Sequence, residues 1–368
     1  MSRARDFADL ASAYSGGALA NRNMVRNGDM AVAQRGTSST TLGTISTVDG
    51  FYVSTANLDN LAGTITQDST APNGFNNSLK IDITTVESAL ASDELFWIQQ
   101  RIEGQFLQRI GKGTSDAKAV TVSFWIRSGL TGTYILELYD ADNTRQVSKA
   151  YTISSADTWE YKTVTFPADT TGAFGDDNAH SLSLQWGLGA GSNFTSGTLS
   201  QTWTSVTNAN RFVGQVNVMA NTAYDVYITG VQFEVGEVAT PFEHESYGDN
   251  LRRCQRFFVM DKAGTVYKRF LQGVCTTTTW SECLYYYPVP MRATPSIGSS
   301  GDTSEYVIEV NSGASASPSE NPSMSTHSSE TYACVNLRVS GTTLTVGDNC
   351  QITTLNNTDA YLSYDAEL

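Results

Sequence analysis

The sequence is short of charge, of histidine and of long apolar runs. Charged residues make up only 16% of the 368, and 23 Lys and Arg stand against 37 Asp and Glu, a net charge of −14. A phosphate backbone calls for clustered Lys and Arg, so a chain this acidic is not built to bind nucleic acid. No apolar run approaches the roughly 18 residues of a membrane helix, so membrane insertion is not expected. The Leu-, Lys- and Glu-rich stretches that sustain helices are missing, which excludes a mainly helical protein. The three histidines stand apart from any Cys or Glu at ligand spacing, and none of the five cysteines forms a CxxC. No metal site and no cofactor are therefore expected. HExxH, GxSxG and phosphate-loop motifs are absent as well. What is present is Thr, Ser, Asn, 30 Gly and an aromatic content of 10%. That is too aromatic for a disordered polymer and reads as β-sheet with solvated turns.

Period-2 alternation carries the fold reading. It runs through VTVSFWIRS (120–128), TYILELY (133–139), YKTVTF (161–166), SLSLQW (181–186), VGQVNVM (213–219) and YDVYITGVQFEV (224–235). Short strands with turn residues between them predict an all-β sandwich or barrel. DADNT (140–144) lacks the Gly and Glu of a calcium loop and reads as a hairpin turn. GLGAGSNF (187–194) reads as a β-turn, and VESALASDELF (86–96) as a weak helical turn. A composition shift near residue 247 marks a domain boundary, with a short helix starting at Asp249-Asn250-Leu251. The Ser-, Asn- and Pro-rich stretch 311–331 reads as a long loop or disordered insert. The domains expected are an anchor over 1–23, a β-sandwich over 24–246 and a smaller β-rich unit over 247–368.

The start, MSRARDFADLASAYSGG, lacks the apolar core of a signal peptide. The chain is expected to be made and kept in a cytosol until release. Phe7, Leu10 and Tyr14 fall on one helical stripe. Four arginines against two aspartates give residues 1–26 a net charge of +2. A docking peptide for a partner and a frayed tail are both open readings.

All five cysteines follow residue 250. Cys275 and Cys283 flank a hairpin loop, and Cys334 and Cys350 flank another, so each pair could face across a ladder. Buried thiols and cross-strand bridges both remain open. Cys254 is the odd one out.

Candidate catalytic residues do not emerge. Glycan hydrolysis needs two carboxylates about 5–10 Å apart. Asp176 and Asp177 are neighbours in a Gly-rich loop, while Glu94, Glu103, Glu137 and Glu234 fall in separate segments. No enzymatic activity is expected.

Binding candidates are aromatic. Trp97, Trp125, Trp159 and Trp186 lie in or beside apolar strands and read as core. Trp203 lies in polar surroundings and reads as exposed. Trp280 sits between Cys275 and Cys283, where glycan contact, subunit packing and core are all open. Tyr285, Tyr286 and Tyr287 alternate faces if they form a strand, and Tyr285 and Tyr287 are taken as contact candidates. His327 marks the long loop as a second candidate surface. His244, in FEHES beside the boundary, reads as a hydrogen-bonding structural residue.

Several segments, in order, resemble bacteriophage tail fibre proteins with a carbohydrate-binding-module-like jelly roll. They are NMVRNGDMAVAQRG (23–36), WIQQRIEG (97–104), VSFWIRS (122–128), DTWEYKTVTFPADTTGAFGDDN (157–178), ITGVQFEVGEVATPFEHESYGDNLRRCQRFF (228–258), YYYPVPMRATPSI (285–297) and the terminal DAEL. The resemblance implies a homotrimeric virion fibre, attached to another virion protein by its N-terminus and contacting a host-surface polysaccharide or protein. A head or collar fibre, a polysaccharide depolymerase and a secreted lectin are the competing readings. Such jelly rolls often hold calcium through acidic residues. Asp29 fits that pattern, but Thr229 and Gly230 stand where a paired Asp is expected, which argues against the ion.

Overall fold

A computed structural model describes residues 21–368 apart from 46, 59–61, 312–314 and 342. Phe7, Leu10 and Tyr14 lie outside the described residues. The chain divides into two compact units, one running to Asn250 and including Leu368, the other Leu251–Glu367. Among the described residues, no helix is long and apolar enough to cross a membrane.

The first unit holds β1 (Ser38–Ser39), β2 (Tyr52–Ala56), β3 (Ala62–Asp68), β4 (Ser78–Thr85), β5 (Leu95–Glu103), β6 (Val120–Ser128), β7 (Gly132–Asp140), β8 (Arg145–Ile153), β9 (Glu160–Phe166), β10 (His180–Ala190), β11 (Thr204–Ser205) and β12 (Val226–Val235). They form two six-stranded antiparallel sheets, ordered β1-β3-β4-β12-β6-β9 and β11-β8-β7-β10-β5-β2. Neighbours that are distant in sequence, such as β4 beside β12 and β12 beside β6, make this a jelly-roll sandwich. Alternation decides what goes between the sheets. Val122, Phe124 and Ile126 of β6 meet Leu136 and Leu138 of β7 and Leu182, Leu184 and Trp186 of β10 in one buried cluster. Trp186 is fully buried, with Phe124 edge-on at 5.8 Å.

The NMVRNGDM segment closes this core by side-chain clamps. The Asn23 amide donates to Val231 O at 3.0 Å, and its carbonyl accepts from Val25 N and Phe233 N. The Asn27 amide donates to Val32 O and Asp49 O, both at 2.9 Å. These bonds satisfy backbone groups that no ladder reaches, and they let Val25, Met30 and Val32 be buried. Asp29 accepts from the Asn250 side chain at 2.8 Å.

The second unit is smaller and again β-rich. It holds β13 (Phe258–Lys262), β14 (Arg269–Cys275), β15 (Trp280–Tyr286), β16 (Ser296–Ser299), β17 (Tyr306–Val310), β18 (Ser315–Ala316), β19 (Ser323–Met324), β20 (Tyr332–Arg338), β21 (Asn349–Thr354) and β22 (Tyr361–Asp365). A three-stranded sheet, β13-β22-β16, accompanies a seven-stranded one, β18-β17-β21-β14-β15-β20-β19. Val259, Leu271, Ile308, Val335, Ile352 and Tyr364 share the core.

Five local expectations change. Residues 213–217 form no strand despite their alternation, and Val218–Ala220 is a single 3-10 turn. Residues 86–94 form no helix, and the chain enters β5 at Leu95. Gly187–Ala190 is not a turn but the end of β10, followed by the helix Ser192–Thr195. Within 311–331, β18 and β19 pair with β17 and β20, so part of that stretch is sheet. The helix near the boundary spans Tyr247–Gln255.

Neither proposed cysteine bridge exists: Cys275, Cys283, Cys334 and Cys350 are all buried free thiols. Cys275 pairs in register with Ser281, not with Cys283. Cys334 and Cys350 lie on strands separated by β14 and β15, and their side chains point to opposite faces of the sheet.

Candidate functional site

The two outer faces of the sandwich differ. On the second sheet, segment 191–217 forms a roof. Phe194 and Phe212 pack against Leu95 and Ile135. Arg211 pairs with the fully buried Glu137 at 2.7 Å and donates to Gln185 at 2.9 Å. Trp97 packs in the same cluster.

The first sheet leaves an aromatic face partly open. Trp125 of β6 lies opposite Tyr161 of β9, with ring centroids 5.4 Å apart. Tyr161 is 44% exposed. On the other side of Trp125, β12 carries a bulge between Thr229 and Gln232, with Gly230 at φ +61°. A Cβ on Gly230 would stand 2.7 Å from the Phe75 ring and 3.1 Å from Trp125. Glycine here both accepts the left-handed backbone and lets the two rings approach. Phe75 meets Phe242 edge-on at 5.0 Å and His244 at 5.4 Å. His244 is thus the exposed end of an aromatic row, rather than the hydrogen-bonding structural residue expected.

A second row on the same face is charged. Arg127, two residues beyond Trp125 on β6, lies 4.9 Å over the Tyr227 ring, and Lys80 of β4 lies 5.4 Å over it. Trp159 packs on Tyr227 at 6.1 Å. Lys80 pairs with Asp225 at 3.0 Å. Burial works against the Lys80 ammonium, but the hydrogen bond and charge of Asp225 outweigh it, and its pKa is raised. Burial, followed by the neighbouring Asp225, raises the Asp82 carboxyl. Aromatic faces beside fixed donors and acceptors suit a ligand with a flat apolar face and a hydroxylated rim. Of the four tryptophans read as core, only Trp186 is fully buried; Trp125 and Trp159 belong to this face. Alternation is the same for a residue on either side of a sheet, so their periodicity could not reveal which side they take.

The expected contact residues are scattered. Trp203 is no open platform: its Nε1 donates to Pro167 O at 2.9 Å, and Lys112 lies 5.1 Å over the ring. Trp280 starts β15 on the outer face of the seven-stranded sheet, half-buried, with the Arg338 guanidinium 5.5 Å over its ring. Tyr285 and Tyr287 turn inward onto Tyr364, at 4.6 and 5.3 Å. Burial pushes the Tyr285 phenol up to about 12 and that of Tyr287 higher still. Tyr286 takes the outward position, 71% exposed, beside Tyr332. His327 is exposed, with Nδ1 3.8 Å from Glu282 Oε1.

No family model matches the chain. No curated protein matches it either. Among solved structures it is similar to the enzymatically active domain of bacteriophage CBA120 tailspike protein 4, at 14% identity and TM-score 0.30 over 58% of this chain and 21% of that one. The match thus spans about a fifth of the length of that domain. It is also similar to a protein of Bacteroides thetaiotaomicron described as sugar-binding, at 15% identity and TM-score 0.34 over 58% of this chain and 100% of that one. A third likeness is to the family 11 carbohydrate-binding module of Clostridium thermocellum, solved with a mixed-linked tetrasaccharide, at 10% identity and TM-score 0.28 over 57% and 99%.

Proposed function

We propose that this protein is a virion fibre subunit that attaches the particle to a host-surface glycan, with the outer face of the first sheet as its sugar platform. The observation that carries this reading is the row formed by Tyr161, Trp125, Phe75, Phe242 and His244, flanked by Lys80, Arg127 and Asp225. A pyranose lays its CH-bearing face on such rings while the charged row meets its hydroxyls. Each stacked ring is worth about 1 kcal/mol, so a single site is weak. Three copies in one fibre raise the avidity by about 10²–10⁴ without new contacts. Recognition in this scheme is non-covalent and needs no cofactor.

Calorimetric titration with host envelope polysaccharide tests it. Replacing Trp125 and Tyr161 together by Ala removes two stacking faces, for an expected loss of at least about tenfold in affinity. The Trp280→Ala variant serves as a control on the second unit. Unchanged binding by the double variant overturns the platform, and loss confined to Trp280→Ala moves the site to the second unit. Release of reducing ends during the incubation would favour the depolymerase reading, and particle imaging that places the protein on the head would favour a decoration role.

A further inference from the structure

The outer face of the seven-stranded sheet carries a donor set unrelated to the sugar platform. Glu282 of β15, Cys334 of β20 and His327 of the loop between β19 and β20 each offer one ligand atom, and these atoms lie within 4.8 Å of one another. Leu284 lies directly opposite Cys334 in the ladder, so Glu282 and Cys334 are diagonal neighbours on one face. Such neighbours are within side-chain reach.

His327 is brought to them by a turn tied to the Cys334 backbone. Ser325 N donates to Cys334 O at 2.8 Å, Ser328 Oγ donates to the same carbonyl at 3.2 Å, and Cys334 N donates to Ser328 Oγ at 3.0 Å. The turn itself closes through Ser328 N to Ser325 O at 3.1 Å. Ser325 Oγ lies 3.3 Å from His327 Nδ1 and accepts from His327 N at the same distance. Loop and ladder are thus fixed at the residue whose sulfur faces the imidazole.

We propose that Glu282, His327 and Cys334 form a three-ligand site for a soft divalent cation of the Zn2+ class. One thiolate, one imidazole and one carboxylate are a zinc donor set, and three protein ligands leave a fourth position for water. Two N or O donors about 2.1 Å from a tetrahedral ion stand about 3.4 Å apart. The 3.8 Å between His327 Nδ1 and Glu282 Oε1 needs only a few tenths of an ångström of closure. His327 would bind through Nδ1, keeping its proton on Nε2. The Cys334 thiol proton would leave to solvent as the sulfur–metal bond forms. The bound ion would clip the 325–328 turn to the sheet. Glu282 lies far upstream of His327 and Cys334 in the chain, and these two do not stand at a CxxC- or HExxH-type spacing, which is why no motif in the sequence announces the set.

Titrating the reduced full-length protein with Co2+ tests the site through its absorption. One Co2+ per chain is expected, with a thiolate-to-metal charge-transfer band that Zn2+ abolishes by displacement. His327→Ala removes a solvent-exposed ligand at little risk to folding, and should weaken binding at least about tenfold. Cys334→Ser should erase the charge-transfer band. A stoichiometry near zero, a spectrum without thiolate character, or affinity unchanged in His327→Ala each overturns the proposal. None of these readouts involves a glycan, so the outcome is independent of the attachment reading.

Discussion

The Lys112 ammonium donates to Asp140 Oδ2 at 2.6 Å, with the lysine side chain 2% exposed and the aspartate fully buried. Asp169 stands 3.1 Å from the same ammonium and is itself held by Arg145 at 2.8 Å. Two carbonyls, of Thr171 and Gly172, take the remaining protons. The Phe174 and Trp203 rings lie 5.1 Å away. A cation so enclosed is held only while its partners are charged.

Removing that cation leaves Asp140 buried and uncompensated. Lys112→Met should cost about 3 kcal/mol of unfolding free energy, read from urea midpoints. Adding Asp140→Asn to it should recover part of the loss, since the orphaned charge goes too. A single-variant cost below about 1 kcal/mol would show that the cluster is not held by charge.

His180 gives the stability a pH dependence of known sign. Burial, then the Arg101 guanidinium, lower its pKa to about 4. The unfolded chain takes up this proton near pH 6.5, while the folded chain refuses it until about 4. Between those values the unfolded state binds more protons, so stability falls as pH falls. The loss should approach ~2 kcal/mol, discounted because the ring is partly exposed. Urea titrations at several pH values should show this slope, and His180→Gln should flatten it. Parallel slopes in the two proteins would rule the histidine out as the cause.

The sulfurs of Cys283 and Cys350 are 3.8 Å apart, yet they should not cross-link. Both residues pair with Gly273 of β14, one from each side, so the sulfurs approach over a residue without a side chain. Two strand spacings of about 4.8 Å separate their backbones, against the 4.4–6.8 Å or so that a disulfide accepts. The hydrogen bond to Cys350 and then burial raise the Cys283 thiol, and burial raises that of Cys275 to about 12. Peptide mapping after diamide treatment of the folded protein should find Cys283 and Cys350 unlinked. A native Cys283–Cys350 bridge would falsify this strand order.

Some of this was legible in the chain. Alternation over 120–128, 133–139 and 161–166 marks β6, β7 and β9, because a pleated strand with one buried face imposes period 2 wherever it sits. DADNT is the turn between β7 and β8, where Asp140 accepts from Asn143 N at 3.0 Å. The glycine-rich run 187–190 carries the composition of a turn but lies in a strand. It continues β10 because the roof above has no room for side chains: a Cβ on Gly187 would meet Gln215 at 2.6 Å and Phe212 at 2.8 Å.

The sequence by itself determined the secondary structure class and the separation of polar from apolar positions, since both follow from local geometry and from burial of apolar surface. Only the tertiary structure decided which outer face is roofed and which remains open. Trp125 alternates identically in either case, and its accessibility depends on segment 191–217 lying over the other sheet. Strand order, too, is a non-local choice. It placed Gly273 between two cysteines that flank neither of the predicted loops together, and it brought Glu282, His327 and Cys334 to one face of one sheet. Chemistry assembled from distant segments leaves no period or spacing to read, so the sequence supplies the donors while the fold alone brings them together.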